Sequence, residues 1–379
     1  MYSIYGISAN EAWLQATQLV QEAGEVVTSR NFRDPNNPTK TKELLHASIT
    51  IADPRQRIVF ARPINPAFAM AEVLWIMAGA NTLEFLKFWN PRMKTWAEDG
   101  VFHGAYGARL GSKPRISSNT LRLSLRNIHP AVPIFDQLRR AYEILSNDKD
   151  SRQVVLNIYN YAYDLPFPNG KSRSPDIPCN VTCDLKIRDG KLHWLQTMRS
   201  NDLMWGTPYN IIQWTTIQEI VAGWLGVELG NFTLVTSSLH VYENHWEDLA
   251  KFAEIQDTLE VRDDQYSDAP ATYPPYATSL VNSADLSIET YEAWERVFER
   301  VLSMAVKYTS ISSETLVREV DQVLELDHSG YMQILALLAA EALRRNSMSL
   351  LAHGVINHAG YYAESWVQWA KHIEDKTSQ

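Results

Sequence analysis

The chain has 379 residues, 45% hydrophobic and 21% charged, which is the balance of a folded globular protein and not of a disordered, collagen-like or coiled-coil chain. Against 44 acidic residues stand 35 Lys and Arg, a formal charge of −9, so a chain-wide basic footprint for polymeric nucleic acid is excluded while a local basic cluster for a small anion is not. The two cysteines, Cys179 and Cys183, cannot build a disulfide framework and fit a reducing compartment.

In chain order, Asn10 is the expected cap of an amphipathic helix over residues 10–27. Ser29 to Lys42, with Pro35, Pro38 and several basic residues, reads as a loop. Alternation in Leu45 to Ile51 predicts a strand, with Arg57 to Phe60 as its partner. Pro66 opens an apolar helix that ends at Gly79. The apolar run Phe68 to Ala80 carries Glu72 and is too short to span a bilayer, and the N-terminus lacks a leader pattern, so a cytoplasmic protein without membrane association is expected. A helix over 134–146 and a strand over 154–159 follow.

Val181, Cys183, Leu185 and Ile187 then alternate with polar residues, Asp189-Gly190 supplies a two-residue turn, and Leu192, Trp194, Gln196 and Met198 alternate on the return, which predicts a hairpin. A helix runs from Pro208 to about Leu225, and Phe232 to Val241 forms a further strand. Helices and strands mixed without regular βαβ spacing argue for an α+β fold. Composition divides the chain into a mixed domain over 1–260, a linker over 261–286 rich in Asp, Pro, Tyr and Ser, and a helical segment over 287–379. No metal-ligand spacing is found.

Several residues invite chemistry. Cys179 follows Pro178 at the mouth of a strand and reads either as a nucleophile activated by nearby cations or as a small buried hydrophobe. Arg199 with Ser200 makes a phosphate or carboxylate grip, or a surface turn. Arg30 and Arg152 are further cations near expected element ends. Glu72 lies among apolar residues on a helix, where a carboxylate is costly without a partner and its burial favours proton transfer. Asn210 heads a helix, either as a cap or as an amide facing the edge of a planar base. His240 and Tyr242, two apart on a strand, point the same way.

These pieces occur in the order Glu72-Val73-Leu74-Trp75, Gly104-Ala105-Tyr106-Gly107, Asp150-Ser151-Arg152, Pro178-Cys179-Asn180, Arg199-Ser200-Asn201-Asp202, Gly206-Thr207-Pro208-Tyr209-Asn210 and His240-Val241-Tyr242. Together they resemble the thymidylate synthase superfamily, closest to the pyrimidine deoxynucleotide hydroxymethylases, over residues 10–250. The resemblance implies a thymidylate-synthase-like α+β fold with a mixed sheet and packed helices, here followed by an all-helical C-terminal extension. It implies one-carbon transfer from 5,10-methylenetetrahydrofolate to C5 of a pyrimidine nucleoside monophosphate in a homodimer with shared active sites, and no metal.

Residue by residue, the resemblance makes Cys179 the nucleophile at C6, Glu72 the carboxylate that moves protons and Tyr106 the tyrosine used in removing the C5 proton. It makes Arg30, Arg199 and Ser200 the phosphate grip, Arg152 the arginine lent by the second subunit, and His240 with Tyr242 the sugar-binding pair. Asn210 reads the base, Asp202 serves the pterin, and Trp96, Gly206 and Tyr209 stand at folate-binding positions. The clustered arginines would also favour a thiolate at Cys179.

The chain departs from the synthase pattern. Gln153 stands where a second arginine is expected, Asn180 replaces histidine after the nucleophile, Met198 precedes Arg199, and Met93 takes the place of one of two folate-side tryptophans. The short closing tail gives way to about 95 helical residues, counted from Ser287. Loss of an aromatic shield and of the tail favours water as terminal acceptor, hence a deoxyuridylate 5-hydroxymethylase. The alternatives are a thymidylate synthase and a cytosine nucleotide (dCMP or CMP) 5-hydroxymethylase.

Overall fold

The computed structural model describes residues 1–29, 38–114, 125–126, 135–265, 285–312, 314–316, 318–319 and 329–377. Its centre is one mixed sheet in the order β1-β3-β8-β6-β5-β4, with β2 beside β3 and β7 beside β8. The strands are β1 (Tyr2–Gly6), β2 (Glu25–Ser29), β3 (Thr39–Ile51), β4 (Val155–Asn157), β5 (Asn180–Arg188), β6 (Lys191–Met198), β7 (Asn201–Asp202) and β8 (Glu228–Tyr242). β3–β8 and β5–β6 are antiparallel, whereas β1–β3, β6–β8 and β7–β8 are parallel.

The expected hairpin is β5–β6. Asp189 and Gly190 both take positive φ, 50° and 72°, which the tight turn between two right-twisted strands requires. Its inward residues, among them Cys183, Leu185, Ile187, Leu192, Trp194 and Met198, are buried. The outward side leaves Val155 and Leu195 exposed.

Helices pack on the inner face. α1 (Ala9–Ala23) is capped by Ser8, whose side chain accepts from the Glu11 N–H. Asn10, the expected cap, is instead buried and accepts from the Ala61 N–H at 2.8 Å. Val26 and Val27 belong to β2 and not to the helix, because Gly24 ends α1 and the β-branched pair joins β3. Arg57 to Phe60 forms no strand: Arg57 is drawn inward by Glu219, and the Ile58 N–H donates to the Tyr361 hydroxyl at 3.1 Å.

α2 (Pro66–Met77) has Asn65 as its cap, Pro66 in its first turn and no polar stripe, so it is buried nearly all round. After it come α3 (Leu83–Trp89), a 3₁₀ turn (Pro91–Thr95), α4 (Tyr106–Leu110), α5 (Gln137–Asn147) and α6 (Tyr161–Asp164). α7 (Gly206–Leu225) runs through the middle of the molecule, buried along most of its length against α2, β6 and β8. It ends at Gly226, which takes the left-handed C-cap conformation.

α8 (Trp246–Gln265) extends into the first residues of the expected linker, and residues 266–284 of that linker lie outside the described residues. The C-terminal helices α9 (Tyr291–Lys307), α10 (Ser329–Arg345), α11 (Ser349–Ile356) and α12 (Ala363–Thr377) share the same continuous core. Two buried ionic centres tie them in. Glu219 of α7 pairs with Arg57 and accepts from the Leu286 N–H at 3.4 Å. Glu341 of α10 binds Arg344 and Arg345, accepts from Trp366 Nε1 at 3.1 Å, and takes the Asn65 side-chain amide at 3.4 Å. The C-terminal layer therefore reaches the cap of the helix that carries Glu72.

Candidate active site

Cys179 sits just before β5, half-buried, where three bonds from Arg199 hold the preceding loop. Arg199 donates from Nε to the Pro178 carbonyl at 3.0 Å, from a terminal nitrogen to the Ile177 carbonyl at 2.9 Å, and from the same nitrogen approaches Cys179 Sγ at 3.7 Å. The expectation of a resting thiolate is not met in the single chain. Burial pushes the Cys179 thiol up, and the Asp176 and Asp202 carboxylates add to that, so the Arg199 cation offsets only part of the shift.

Next to Cys179, Asn180 is fully buried beside the Tyr106 phenol. Burial also pushes the Tyr106 phenol up, so it stays protonated. Tyr106 begins α4, and the next residue explains its position: a Cβ on Gly107 would lie 2.0 Å from the Ile76 carbonyl oxygen, so only glycine lets α4 touch the end of α2. Asp176 accepts from the Gly104 N–H at 2.7 Å and fastens the same segment to the Cys179 loop. Burial pushes Asp176 up to about 6.

Glu72 points from α2 towards α7, where Gln213 Nε2 donates to Oε2 at 2.9 Å. Its apolar surroundings push this carboxyl up to about 8, with the Gln213 bond acting weakly against them, so the group is largely neutral at pH 7. Gln213 lies three residues after Asn210, so both face the same side of α7. Asn210 is inside the first turns and is not the cap, since the helix starts at Gly206. Its amide accepts from Asn180 Nδ2 and donates to Asn201 Oδ1, each at 3.3 Å.

Gly206 closes the gap between these groups: a Cβ there would lie 3.2 Å from Asn201 Oδ1 and 3.5 Å from Asn210 Nδ2. On β7, Asp202 pairs in register with His240 of β8, and its Oδ1 accepts the Met204 and Trp205 N–H groups at 2.8 and 3.2 Å. His240 and Tyr242 meet edge to face, ring centroids 5.1 Å apart. Burial lowers the His240 pKa against the pull of Asp202 and Glu43, so its ring is neutral at pH 7.

The structure thus joins Cys179, Tyr106, Asn210, Gly206, Asp202, His240 and Tyr242 through direct contacts or shared neighbours, with Glu72 of α2 bonded to Gln213 of α7 close by. Ser200 follows Arg199 in the turn before β7. Tyr209 lies beside Phe68, and its hydroxyl accepts from the Asn65 N–H at 3.1 Å. Trp96 caps the 3₁₀ turn and is 42% exposed, while Met93 of that turn packs against the core. Arg152 is exposed and forms no ion pair with the described residues. Arg30 lies outside the described residues. Sequence reasoning missed Gln196 and Gln213, whose polar side chains on core-facing positions were the available signal.

Among the described residues no His, Cys, Asp and Glu group of three or more is arranged to hold a metal ion, and no helix is long and apolar enough to cross a membrane.

Comparison with known proteins gives the family and the fold. The chain is 38% identical over 246 residues to a deoxyuridylate hydroxymethyltransferase of Bacillus phage SP01, covering 64% of this chain and 59% of that protein. It is 31% identical over 256 residues to a protein of the same name from Pseudomonas phage M6, covering 66% and 64%. The chain thus spans less than two thirds of the length of these relatives. The solved structure of the thermostable thymidylate synthase A from Bacillus subtilis matches with a TM-score of 0.51 at 22% identity, over 65% of this chain and 84% of that one, which supports the shared fold. The family model described as thymidylate synthase matches residues 11–299, from α1 into α9, and the chain belongs to the thymidylate synthase family.

Proposed function

We propose that the chain is a deoxyuridylate 5-hydroxymethylase that uses methylenetetrahydrofolate. The carrying observation is the joined cluster of Cys179, Tyr106 and the Asn210 amide, with neutral Glu72 on the neighbouring helix. The identically named phage relatives support the choice of product. The residues present fit a reduced folate. Asp202 keeps Oδ2 free of donors among the described residues, and Gln213 Oε1 and Asn201 Nδ2 are buried without partners among them. When bound, the folate supplies the one-carbon unit.

The protein's own groups do the rest. Cys179 Sγ adds to C6 of the uracil ring, which makes C5 nucleophilic. Glu72, protonated at neutral pH, holds water and exchanges protons near the ring oxygen. Tyr106, kept neutral by burial, orders the water that takes the C5 proton. Arg199 and Ser200 grip the phosphate, and His240 with Tyr242 the sugar hydroxyl. Asn210 gives an N–H to O4 and a lone pair to N3–H of uracil. With Met93 in place of a second tryptophan, water adds to the C5 methylene, the C5–C6 double bond re-forms as Cys179 Sγ leaves C6, and the product carries a hydroxymethyl group.

The test is mass analysis of the product from dUMP, dCMP and methylenetetrahydrofolate. The expected product is the 5-hydroxymethyl nucleotide from dUMP, with tetrahydrofolate released. Thymidylate with dihydrofolate would identify a synthase, and a wild-type preference for dCMP would refute the reading of Asn210. Asn210→Asp should move the preference towards dCMP by about tenfold to hundredfold, because a protonated aspartic acid matches the cytosine edge.

A homodimer is part of the proposal. Exposed Val155 and Leu195 leave the outward face of the sheet available to a second copy, and exposed Arg152 is available to a neighbouring site. Mixing inactive Arg152→Ala with inactive Cys179→Ala should restore about a quarter of wild-type activity, since half the dimers are hybrids with one intact site of two. A stable, active monomer in sedimentation would refute it.

A further inference from the structure

The amide assigned to base reading stands at the end of a continuous run of buried side-chain hydrogen bonds. Trp194 Nε1 donates to Gln196 Oε1 at 3.1 Å, and Gln196 Nε2 donates to Asn180 Oδ1 at 2.8 Å. Asn180 Nδ2 then donates to Asn210 Oδ1, and Asn210 Nδ2 to Asn201 Oδ1, both at 3.3 Å. All five side chains are buried, none more than 8% exposed.

The direction of the run follows from its first member. An indole N–H is a donor with no acceptor to offer. Only the oxygen of Gln196 can face it, so the Gln196 nitrogen faces Asn180, and each following amide takes the same order. Reversing any one of them would set two donors or two acceptors against each other in a buried site. The indole itself cannot turn away, since it lies against Trp214 with centroids 6.1 Å apart, and Trp214 also contacts Tyr106 at 5.9 Å. At the far end Asn201 Nδ2 is buried and meets no partner among the described residues, so that end imposes no opposing order.

The Asn210 amide keeps one N–H and one lone pair beyond those used in the run. Uracil and cytosine differ in which of these must face ring position 4 and which position 3. Cys179 and the phosphate grip hold the base in one orientation, so the order of nitrogen and oxygen at Asn210 decides between them. We propose that Trp194, acting through Gln196 and Asn180, locks the polarity of the Asn210 amide and thereby makes the site select uracil over cytosine. Trp194 and Gln196 are positioning residues, and the inference rests on the base-reading role proposed for Asn210.

The experiment measures dUMP and dCMP affinity by calorimetry on the full chain for wild type, Trp194→Phe, Gln196→Met and Asn210→Asp, with thermal unfolding as a check of fold. Trp194→Phe removes the donor. Gln196→Met keeps the length of the side chain and breaks the run, so it carries the test if the tryptophan variant does not fold. Both should narrow the dUMP-to-dCMP affinity ratio by about tenfold, mainly through tighter dCMP binding once the amide can turn. A purely structural role would weaken both nucleotides alike and leave the ratio unchanged. An unchanged ratio in a folded Gln196→Met or Trp194→Phe, with the ratio moved in Asn210→Asp, overturns the relay alone. An unchanged ratio in Asn210→Asp overturns the base-reading role beneath it.

Discussion

Cys179→Ala should lower turnover by about four orders of magnitude or more while leaving nucleotide binding measurable, because in the proposed mechanism Cys179 makes the bond to C6. Cys183→Ala is the matched control. Cys183 lies four residues on, inside β5 and fully buried on the inward face, and its loss should cost about 1–2 kcal/mol of stability with turnover retained. Steady-state rates and nucleotide titrations on both variants check this, and full activity in Cys179→Ala would refute the assignment. The free thiol is held up by burial with only Arg199 against it. Alkylation of Cys179 by iodoacetamide should therefore be slow at neutral pH and rise with alkalinity, since the thiolate is the reacting form.

Glu72→Gln should reduce turnover by about a hundredfold to ten-thousandfold, the range for loss of a positioned proton-transfer group. It should also change how stability depends on pH. The unfolded carboxyl ionises near 4.5, whereas the folded one is pushed up to about 8. Between those values the native state holds a proton that the unfolded chain has released. The contribution of Glu72 is therefore fully present below about pH 4.5 and is lost as pH rises through about 8. Glutamine stays neutral throughout, so Glu72→Gln should match wild type in urea unfolding near pH 4.5 and exceed it near pH 8. Equal midpoints at both pH values would show that Glu72 is not held neutral. A more stable but inactive variant is the signature of a group kept for chemistry at the expense of folding.

Much of the fold was legible because local rules act over a few residues. The period of two in β5 and β6, the Asp189-Gly190 turn and the apolar run of α2 each stated their structure in the sequence. Where neighbours in space intervened, the reading failed. Val26 and Val27 look helical by spacing yet pair with β3, and Arg57 to Phe60 looks like a strand yet is pulled out of the sheet by the Arg57–Glu219 pair. The helical content of the C-terminal third was readable from amphipathic spacing. That Glu341 would be buried there, with Asn65 as a partner 276 residues away, was not.

By itself the sequence determined the chemistry available: a cysteine after Pro178, a carboxylate in an apolar helix, an amide in the first turns of a long helix and arginines near element ends, in a chain whose residues 11–299 match the thymidylate synthase family. Only the tertiary structure decided the state of those groups. Whether Cys179 rests as thiol or thiolate, whether Glu72 is neutral and which way the Asn210 amide points depend on desolvation and on partners far apart in the chain. Electrostatic and hydrogen-bond energies are set by distance and burial in space, and residue spacing along the chain does not encode them.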